Sequence, residues 1–402
     1  MPDGALAPSP FIAPTYGRAP LAFERGEGCF LISTTGERYL DFASGIAVNA
    51  LGHSHPRLVE AMMDQAGKLW HTSNLYEIPY QRELAEKLVA NTFADLVFFC
   101  NSGAEALEGC FKAARRYHNL NGNPQKYRII TATSAFHGRT LATIAAANNP
   151  KHLEGFGPKV EGFDHVAFNN LNELRAAITE ETAAVLVEPI QGEGGIAPAD
   201  LDYLKALRET CDEYGLLLIY DEVQCGVGRT GKLFAHQWAE GGADPDLIAV
   251  AKGIGGGFPL GCFMGTTEAM KGISAGTHGT TYGGNPLAAR IGCTVMDVVM
   301  EAGFLDRVYA ASERLWTGLT QLVADHPEVY KLRRGAGLMQ GLMIAEPHTC
   351  GDLVARLRDD HHLLTVPAGQ NVIRILPPLI VSDAEIDQAL AAFSAVAAEI
   401  KS

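Results

Sequence analysis

The sequence lacks several features that would limit its possible functions immediately. It has no run of about 18 consecutive apolar residues, the length that a membrane span requires, and no GxxxxGK[ST] phosphate loop. None of its eight cysteines forms a CxxC pair, so neither a zinc site nor a redox pair is predicted. Its 32 Lys and Arg residues are outnumbered by 46 Asp and Glu residues, which gives a formal net charge of -14. This balance argues against nucleic acids and anionic membranes as partners.

The bulk composition, with 47% hydrophobic and 19% charged residues, is typical of a soluble globular protein. Residues 1–14 contain no basic cluster and no continuous apolar core, so we predict no secretory signal peptide. Several cysteines lie in apolar runs, such as Cys100 after residues 97–99, and we expect buried, reduced thiols and a cytoplasmic location. His53 and His55 are close in sequence, but no further ligands cluster with them, so no metal site is predicted.

From about residue 56 the sequence alternates between helical patterns and short apolar runs. Helices are predicted at residues 56–69, 81–89, 103–118 and 201–214, and strands at residues 96–100, 128–132, 183–187, 216–220 and 247–250. Short runs rich in β-branched residues and leucine are typical of buried parallel strands. This order predicts an α/β fold with a mostly parallel sheet that is flanked by helices.

The two ends of the chain have a different pattern. Residues 1–28 are rich in Pro and Gly and are interpreted as an extended arm, followed by a hairpin of residues 29–32 and 38–42. The C-terminal part predicts a smaller α+β unit, with helices at 286–301, 304–324 and 383–400 and strands near 339–344 and 372–376. We therefore predict a small domain that contains residues 1–53 and 288–402, and a large domain of residues 54–287.

Two charged residues follow predicted strands. Asp221 comes directly after the run 216–220, and Lys252 follows the run 247–250 after one alanine. Open α/β sheets form their sites at the carboxyl ends of strands, so both side chains would face one crevice. A buried carboxylate needs a cation such as a pyridinium nitrogen, and a lysine in an apolar pocket has a lowered pKa that lets it form a Schiff base. Each residue alone has an ordinary structural explanation, but the pair favours a cofactor site.

The turn between the strand 96–100 and the next helix is a candidate phosphate site. Ser102, Gly103 and Ala104 would leave free N–H groups at the positive end of the helix dipole. A plain helix cap formed by Ser102 is the alternative. Residues 226–231 fit GxGxxG, but they do not follow their strand directly and no suitable helix comes after them, so we do not predict NAD binding.

Together these segments resemble the class III, fold-type I aminotransferases, which depend on pyridoxal 5'-phosphate (PLP). Residues 218–231 together with Lys252 and Gly253 resemble the long signature sequence of that class, and the resemblance covers nearly the whole chain. Further matching segments are residues 45–53, 71–75, 136–140, 278–286 and 372–378. The resemblance implies a large domain with a seven-stranded, mostly parallel sheet, and a smaller α+β domain built from the N- and C-terminal segments.

The resemblance also implies how PLP would be held. Lys252 would bind PLP covalently and then move the proton between substrate and cofactor, while Asp221 would pair with the pyridinium nitrogen. Phe136 and Val223 would pack on opposite faces of the ring, and Gln224 would hydrogen-bond the ring hydroxyl. The PLP-binding set within one chain is Ser102, Gly103, Ala104, Phe136, Asp221, Glu222, Val223, Gln224 and Lys252.

By the same resemblance, two arginines would bind substrate carboxylates, since a guanidinium matches a carboxylate bidentately. These are Arg139 and Arg374, and Glu193 would pair with Arg374 and release it when 2-oxoglutarate arrives. Thr280 and Thr281 would come from the partner subunit, where Thr280 lines the substrate pocket and Thr281 contacts the phosphate. The resemblance therefore implies a homodimer with shared active sites.

Within the class, the segments resemble most the subgroup that transfers an amino group from N2-acetyl-L-ornithine to 2-oxoglutarate in arginine biosynthesis. Ornithine aminotransferases carry a tyrosine at the position of Ile46, where it orients a free α-amino group, and an apolar Ile46 suits an acylated one. The same position is also apolar in 4-aminobutyrate aminotransferases. Succinylornithine, N-succinyl-diaminopimelate, 4-aminobutyrate and ornithine remain alternative amine donors, and an aminomutase or decarboxylase on the same scaffold is a further alternative. In every case the substrates are expected to be small amino acids and 2-oxo acids.

Overall fold

Within residues 9–401, which the computed structural model describes, the largest sheet has seven strands. In this sheet only Gly261–Gly265 runs antiparallel to its neighbours, and the other six strands share one direction. The predicted α/β class with a mostly parallel sheet is therefore confirmed. The strands lie in the spatial order Leu96–Cys100, Gly261–Gly265, Leu247–Val250, Leu217–Asp221, Thr182–Val187, Arg128–Ala132 and Phe163–Val166.

Helices cover both faces of this sheet, because alternate side chains of each central strand point to opposite sides. Leu218 belongs to one buried apolar cluster and its neighbour Ile219 belongs to another. No helix in the described part of the chain is both long and apolar enough to cross a membrane. The longer helices are Pro56–Ala66, Pro79–Ala90, Gly103–Leu120, Leu141–Ala147, Leu171–Ala177, Leu201–Tyr214, Pro286–Val299, Phe304–Asp325, Cys350–His361 and Asp383–Lys401, and short ones are Ser44–Ala47, Pro150–Leu153, Ala235–Ala239, Lys252–Gly255 and Thr267–Met270.

A second sheet joins the two ends of the chain. Its strands are Phe23–Glu27, Phe30–Ser33, Arg38–Asp41 and Leu363–Leu364, and the last pairs in parallel with the third. The predicted hairpin is confirmed, and residues 23–27 of the segment interpreted as an extended arm form a strand. Those residues form a strand because Phe23 and Arg25 pair with the hairpin strand that follows. Residues 1–8 of that predicted arm lie outside the described part.

A third, antiparallel sheet lies in the C-terminal third of the chain. Its order is Tyr330–Ala336, Met339–Ile344, Val372–Ile375 and Val366–Ala368, and Ile190–Gln191 pairs separately with Ala197–Pro198. The predicted strands near 339–344 and 372–376 are thus confirmed. The domain boundaries at residues 53 and 287 stay a prediction.

Candidate active site

Asp221 and Lys252, the two charged residues predicted at strand ends, line the same cavity. Asp221 ends the strand Leu217–Asp221, and Lys252 follows the neighbouring parallel strand Leu247–Val250 after one residue. Both line a cavity of about 320 Å³ at the carboxyl edge of the sheet. The sheet therefore brings together the predicted amine and the predicted carboxylate.

Lys252 reaches this cavity from a strained backbone position. Its φ is 49°, in the left-handed region that residues with side chains rarely adopt. Burial lowers the pKa of Lys252 to about 8, and the positive charge of Arg374 acts in the same direction. The shift increases the fraction of neutral amine, which is the nucleophilic form.

Asp221 is held by two donors on two different segments. Its Oδ1 accepts a hydrogen bond of 3.0 Å from the N–H of Val223, and its Oδ2 accepts one of 2.8 Å from His137 Nδ1. Burial lowers the pKa of His137, but the hydrogen bond and charge of Asp221 outweigh burial and leave that pKa raised. His137 Nε2 is buried and has no hydrogen-bond partner among the described residues.

The helix Gly103–Leu120 begins at the cavity wall. Ser102 caps it, with Oγ accepting from Glu105 N at 3.3 Å, while a Glu105 carboxylate oxygen accepts from Asn101 N at 2.6 Å. Ser102, Gly103 and Ala104 all line the cavity, so the positive end of the helix dipole faces it. A Cβ on Gly103 would lie 2.7 Å from Val223 Cγ1, so the close approach there requires glycine.

Two further side chains predicted to contact a ring also line the cavity, namely Phe136 and Gln224. The backbone N–H of Phe136 donates to Glu188 over 3.1 Å. Arg139 does not line the cavity. Its guanidinium lies 4.6 Å from the centre of the Phe136 ring, and its Nη1 lies 3.5 Å from His152 Nδ1.

Arg374 is buried beside the cavity and is already paired. Its Nη2 donates to Glu193 Oε2 at 3.1 Å, and its Nη1 donates to Gln224 Oε1 at 3.4 Å. Burial lowers the pKa of Arg374, although Glu193 partly offsets this. The Glu193 side chain is 44% exposed, so this ion pair can open toward solvent without moving the core.

Some predicted site residues lie elsewhere. Glu222 does not line the cavity, since its carboxylate accepts hydrogen bonds from the backbone of Ala235 and from both the backbone and the ring of His236. Thr280 and Thr281 line a separate surface cavity. Ile46 is 39% exposed and is not part of the Lys252 cavity.

Two buried titratable residues of the site were not predicted. His137 lies within a matched segment but had no assigned role, and Glu188 was overlooked. Glu188 lines the cavity and accepts from the N–H groups of Phe136 and Gly192. Burial raises the pKa of Glu188 to about 7, although the charge of His137 opposes this. The position of Glu188 in the sequence indicates such a role, because it directly follows the strand Thr182–Val187.

Comparison with known proteins agrees with this arrangement. The family model for class-III aminotransferases matches residues 11–397, and the chain belongs to this family. It is similar to the acetylornithine aminotransferase of Mesorhizobium japonicum, with 60% identity over 376 residues, 94% of this chain and 93% of that protein. The acetylornithine aminotransferase of Agrobacterium fabrum is 57% identical over 386 residues, which cover 96% of each chain.

Solved structures have the same fold. The ornithine aminotransferase of Toxoplasma gondii superposes with a TM-score of 0.93 at 28% identity, covering 97% of this chain and 93% of that one. The N-acetylornithine aminotransferase of Stenotrophomonas maltophilia gives a TM-score of 0.82 at 35% identity, with 95% and 96% coverage. The implied fold-type I architecture is therefore confirmed.

Proposed function

We propose that this chain is a PLP-dependent aminotransferase that transfers the δ-amino group of N2-acetyl-L-ornithine to 2-oxoglutarate. The products are N-acetyl-L-glutamate 5-semialdehyde and L-glutamate. The observation that carries the proposal is the convergence of Lys252, Asp221 and a helix N-terminus on one cavity. The choice of substrate is supported by the names of the relatives that are 57% to 60% identical.

The cavity residues fit PLP. The phosphate requires N–H donors at a positive dipole end, which Gly103 and Ala104 offer. A protonated ring nitrogen requires a buried carboxylate, and Asp221 is only 4% exposed. The aldehyde requires a neutral amine, for which Lys252 has a lowered pKa of about 8. When bound, PLP draws electrons from the substrate carbon that carries the amino group.

The residues of the chain then have separate tasks. The Asp221 carboxylate keeps a fixed orientation, because His137 and the N–H of Val223 hold one oxygen each. Phe136 and Val223 line the cavity, where they would cover the two faces of a bound ring and exclude water. The Lys252 Nζ amine would act as the base that takes the proton from the substrate carbon.

Alternation between two substrates is the task of Arg374 and Glu193. With an amine donor that places no carboxylate there, Glu193 stays on Arg374 and neutralises its buried charge. A carboxylate of 2-oxoglutarate replaces Glu193, whose exposed side chain swings away. Arg139, whose guanidinium lies over the Phe136 ring, binds the remaining carboxylate.

The proposal includes a homodimer in which Thr280 and Thr281 of the second copy complete each site. In a single chain both threonines lie outside the Lys252 cavity. Nearby, Tyr282 is 63% exposed and its ring lies 5.1 Å from that of His71. Asn74 donates to the carbonyl of Thr280, and exposed apolar side chains close to His71 and Asn74 in the sequence support an interface between copies; they are Trp70, Leu75 and Tyr76.

A second candidate is an ornithine aminotransferase, which the TM-score of 0.93 with the Toxoplasma gondii protein favours. The absorbance spectrum of the purified protein separates the two. The lysine-bound cofactor is yellow, and we expect it to bleach to the amino form fastest with N2-acetyl-L-ornithine. Faster bleaching with L-ornithine or 4-aminobutyrate would change the substrate assignment, and a colourless protein that takes up no added PLP would refute the whole proposal.

A further inference from the structure

Arg229 is a fully buried arginine that is only 2% exposed. Among the described residues, its side-chain hydrogen bonds go to two backbone carbonyls, those of Leu338 and Pro377, and both come from Nη1. Its Nη2 is buried and has no partner there. Burial lowers the pKa of Arg229 to about 10.

A guanidinium buried without a carboxylate is costly, because it loses its hydration and gains no opposite charge. The contribution of Arg229 must therefore come from the two carbonyl groups that accept its hydrogen bonds. Carbonyl groups on two separate segments accept from the same nitrogen, so the side chain acts as a cross-link between them.

One of these carbonyls lies just after the strand that carries Arg374, and the other lies just before the neighbouring strand. Pro377 is three residues beyond Arg374 in the sequence. Leu338 directly precedes the strand Met339–Ile344, in which Gly341 pairs with Arg374. The N–H of Leu338 also donates to the carbonyl of Arg229 at 2.9 Å, so these two residues are bonded reciprocally.

Arg229 itself belongs to the segment that follows the strand of Asp221. The same segment contributes Gln224, which accepts a hydrogen bond from Arg374. Its backbone packs directly on the turn at Gly337, where a Cβ would lie 2.3 Å from the Cα of Thr230. One short segment thus carries Asp221, which lines the cavity, at one end, and at the other end carries Arg229, which is hydrogen-bonded next to the strand of Arg374.

We propose that Arg229 is a positioning residue that sets Arg374 at the distance from Asp221 that a dicarboxylate cosubstrate requires. This inference rests on the proposed function, because it takes Arg374 as the carboxylate-binding residue of the second half-reaction. It goes beyond that function by assigning the alignment to a side chain that touches neither substrate nor cofactor.

The test uses the PLP-loaded enzyme and the variants Arg229→Lys and Arg229→Met. Each half-reaction is followed separately by rapid mixing, and glutarate, which cannot react, is titrated by calorimetry. We expect the apparent affinities for 2-oxoglutarate and glutarate to fall about tenfold or more in Arg229→Met, as for the loss of one charge-assisted contact. The half-reaction with N2-acetyl-L-ornithine should stay within about twofold, because Arg374 is then paired with Glu193.

Arg229→Lys keeps the charge but has a single nitrogen on a shorter reach, so we expect an intermediate loss. The matched control is Arg208→Met. Arg208 is another largely buried arginine, but it bonds to Asp246 and Asp212 away from the cavity. The variant Arg208→Met should have a lower thermal stability and unchanged rates of both half-reactions.

Equal slowing of both half-reactions, or unchanged glutarate binding, overturns the inference and leaves Arg229 a purely structural cross-link. Should Arg229→Met fail to fold, the ratio of the two half-reactions in Arg229→Lys decides. A wild-type enzyme that binds glutarate but ignores N2-acetyl-L-ornithine would refute the substrate assignment alone. The glutarate titration would still decide the role of Arg229.

Discussion

His137 Nδ1 lies 2.8 Å from Asp221 Oδ2, and both side chains are almost fully buried. Because the second oxygen of Asp221 is taken by the N–H of Val223, the carboxylate cannot rotate. A fixed carboxylate offers a preorganised negative charge to the cavity, and such charges act without reorganisation during a reaction. The His137–Asp221 pair is therefore the electrostatic centre of the site.

Replacing this charge should nearly abolish turnover. We expect Asp221→Asn to lower kcat/KM by at least about 100-fold, because the neutral amide cannot stabilise a protonated ring nitrogen. Steady-state kinetics with N2-acetyl-L-ornithine measure the loss. Asp164→Asn, which removes a remote partner of Arg128, is the control and should keep near-normal rates. Retention of more than about half of the activity in Asp221→Asn would contradict the role of the charge.

Removal of the Lys252 amine should prevent covalent attachment of the cofactor. We expect Lys252→Ala to show no mass increase after PLP and borohydride treatment, whereas the wild type gains one cofactor. Methylamine in the buffer should restore part of the proton transfer. Lys232→Ala, which removes a lysine that lies over the Trp238 ring, should still be labelled. Labelling of Lys252→Ala would place the attachment site on a different residue.

The contact between Gly103 and Val223 allows a test by compensation. Because a Cβ at Gly103 would lie 2.7 Å from Val223 Cγ1, Gly103→Ala should weaken PLP binding about tenfold or more by forcing the helix start outward. Trimming the neighbour in Gly103→Ala with Val223→Ala should recover part of that affinity. Gly351→Ala, where a Cβ meets nothing closer than 3.9 Å, should bind PLP normally. An absence of any recovery in the double variant would disprove the steric explanation.

The raised pKa of Glu188 predicts how stability depends on pH. Its ordinary pKa is 4.5, and burial raises it to about 7 in the folded state. Between these values the folded state retains a proton that the unfolded chain has lost. The contribution of Glu188 is therefore fully present below pH 4.5 and is lost as the pH rises through about 7.

The variant Glu188→Gln should flatten this decline, as urea unfolding across that pH range would reveal. The charges of His137 and Asp221 also act on Glu188, so the comparison is with the wild-type slope. The exposed Glu181→Gln should leave the slope unchanged. A slope in Glu188→Gln as steep as that of the wild type would mean that another group carries the pH dependence.

Much of the site could be predicted because its residues follow buried strands. Asp221 and Lys252 follow apolar runs that are typical of central strands, and parallel strands bring their carboxyl ends to one edge. The same rule, applied to Thr182–Val187, would have identified Glu188. It did not separate Asp221 from Glu222, although successive side chains point to opposite faces; the Glu222 carboxylate accepts a hydrogen bond from the short helix Ala235–Ala239 that follows in the sequence.

Other parts depended on contacts that local sequence does not encode. The strand Gly261–Gly265 was not predicted, because glycine at both ends weakens the strand pattern. The strand forms through its pairing with Leu96–Cys100 on one side and Leu247–Val250 on the other. Phe163–Val166 was missed because two of its four residues are polar. The roles expected for Thr280 and Thr281 require a second copy of the chain, because in one chain both residues lie outside the Lys252 cavity.

The hydroxyl of Ser44 donates to the carbonyl of Leu376 at 2.6 Å, across 332 positions of sequence. The N–H of Leu376 in turn donates to the carbonyl of Phe42, and Leu363–Leu364 completes the sheet begun near the N-terminus. During synthesis, one edge of the strand Arg38–Asp41 therefore has no partner until Leu363–Leu364 has been made, shortly before the last helix. Arg374 lies in this final stretch, so a chain released early from the ribosome contains Lys252 and Asp221 but lacks Arg374. The carboxylate-binding role proposed for Arg374 thus depends on one of the last segments of the chain to be made.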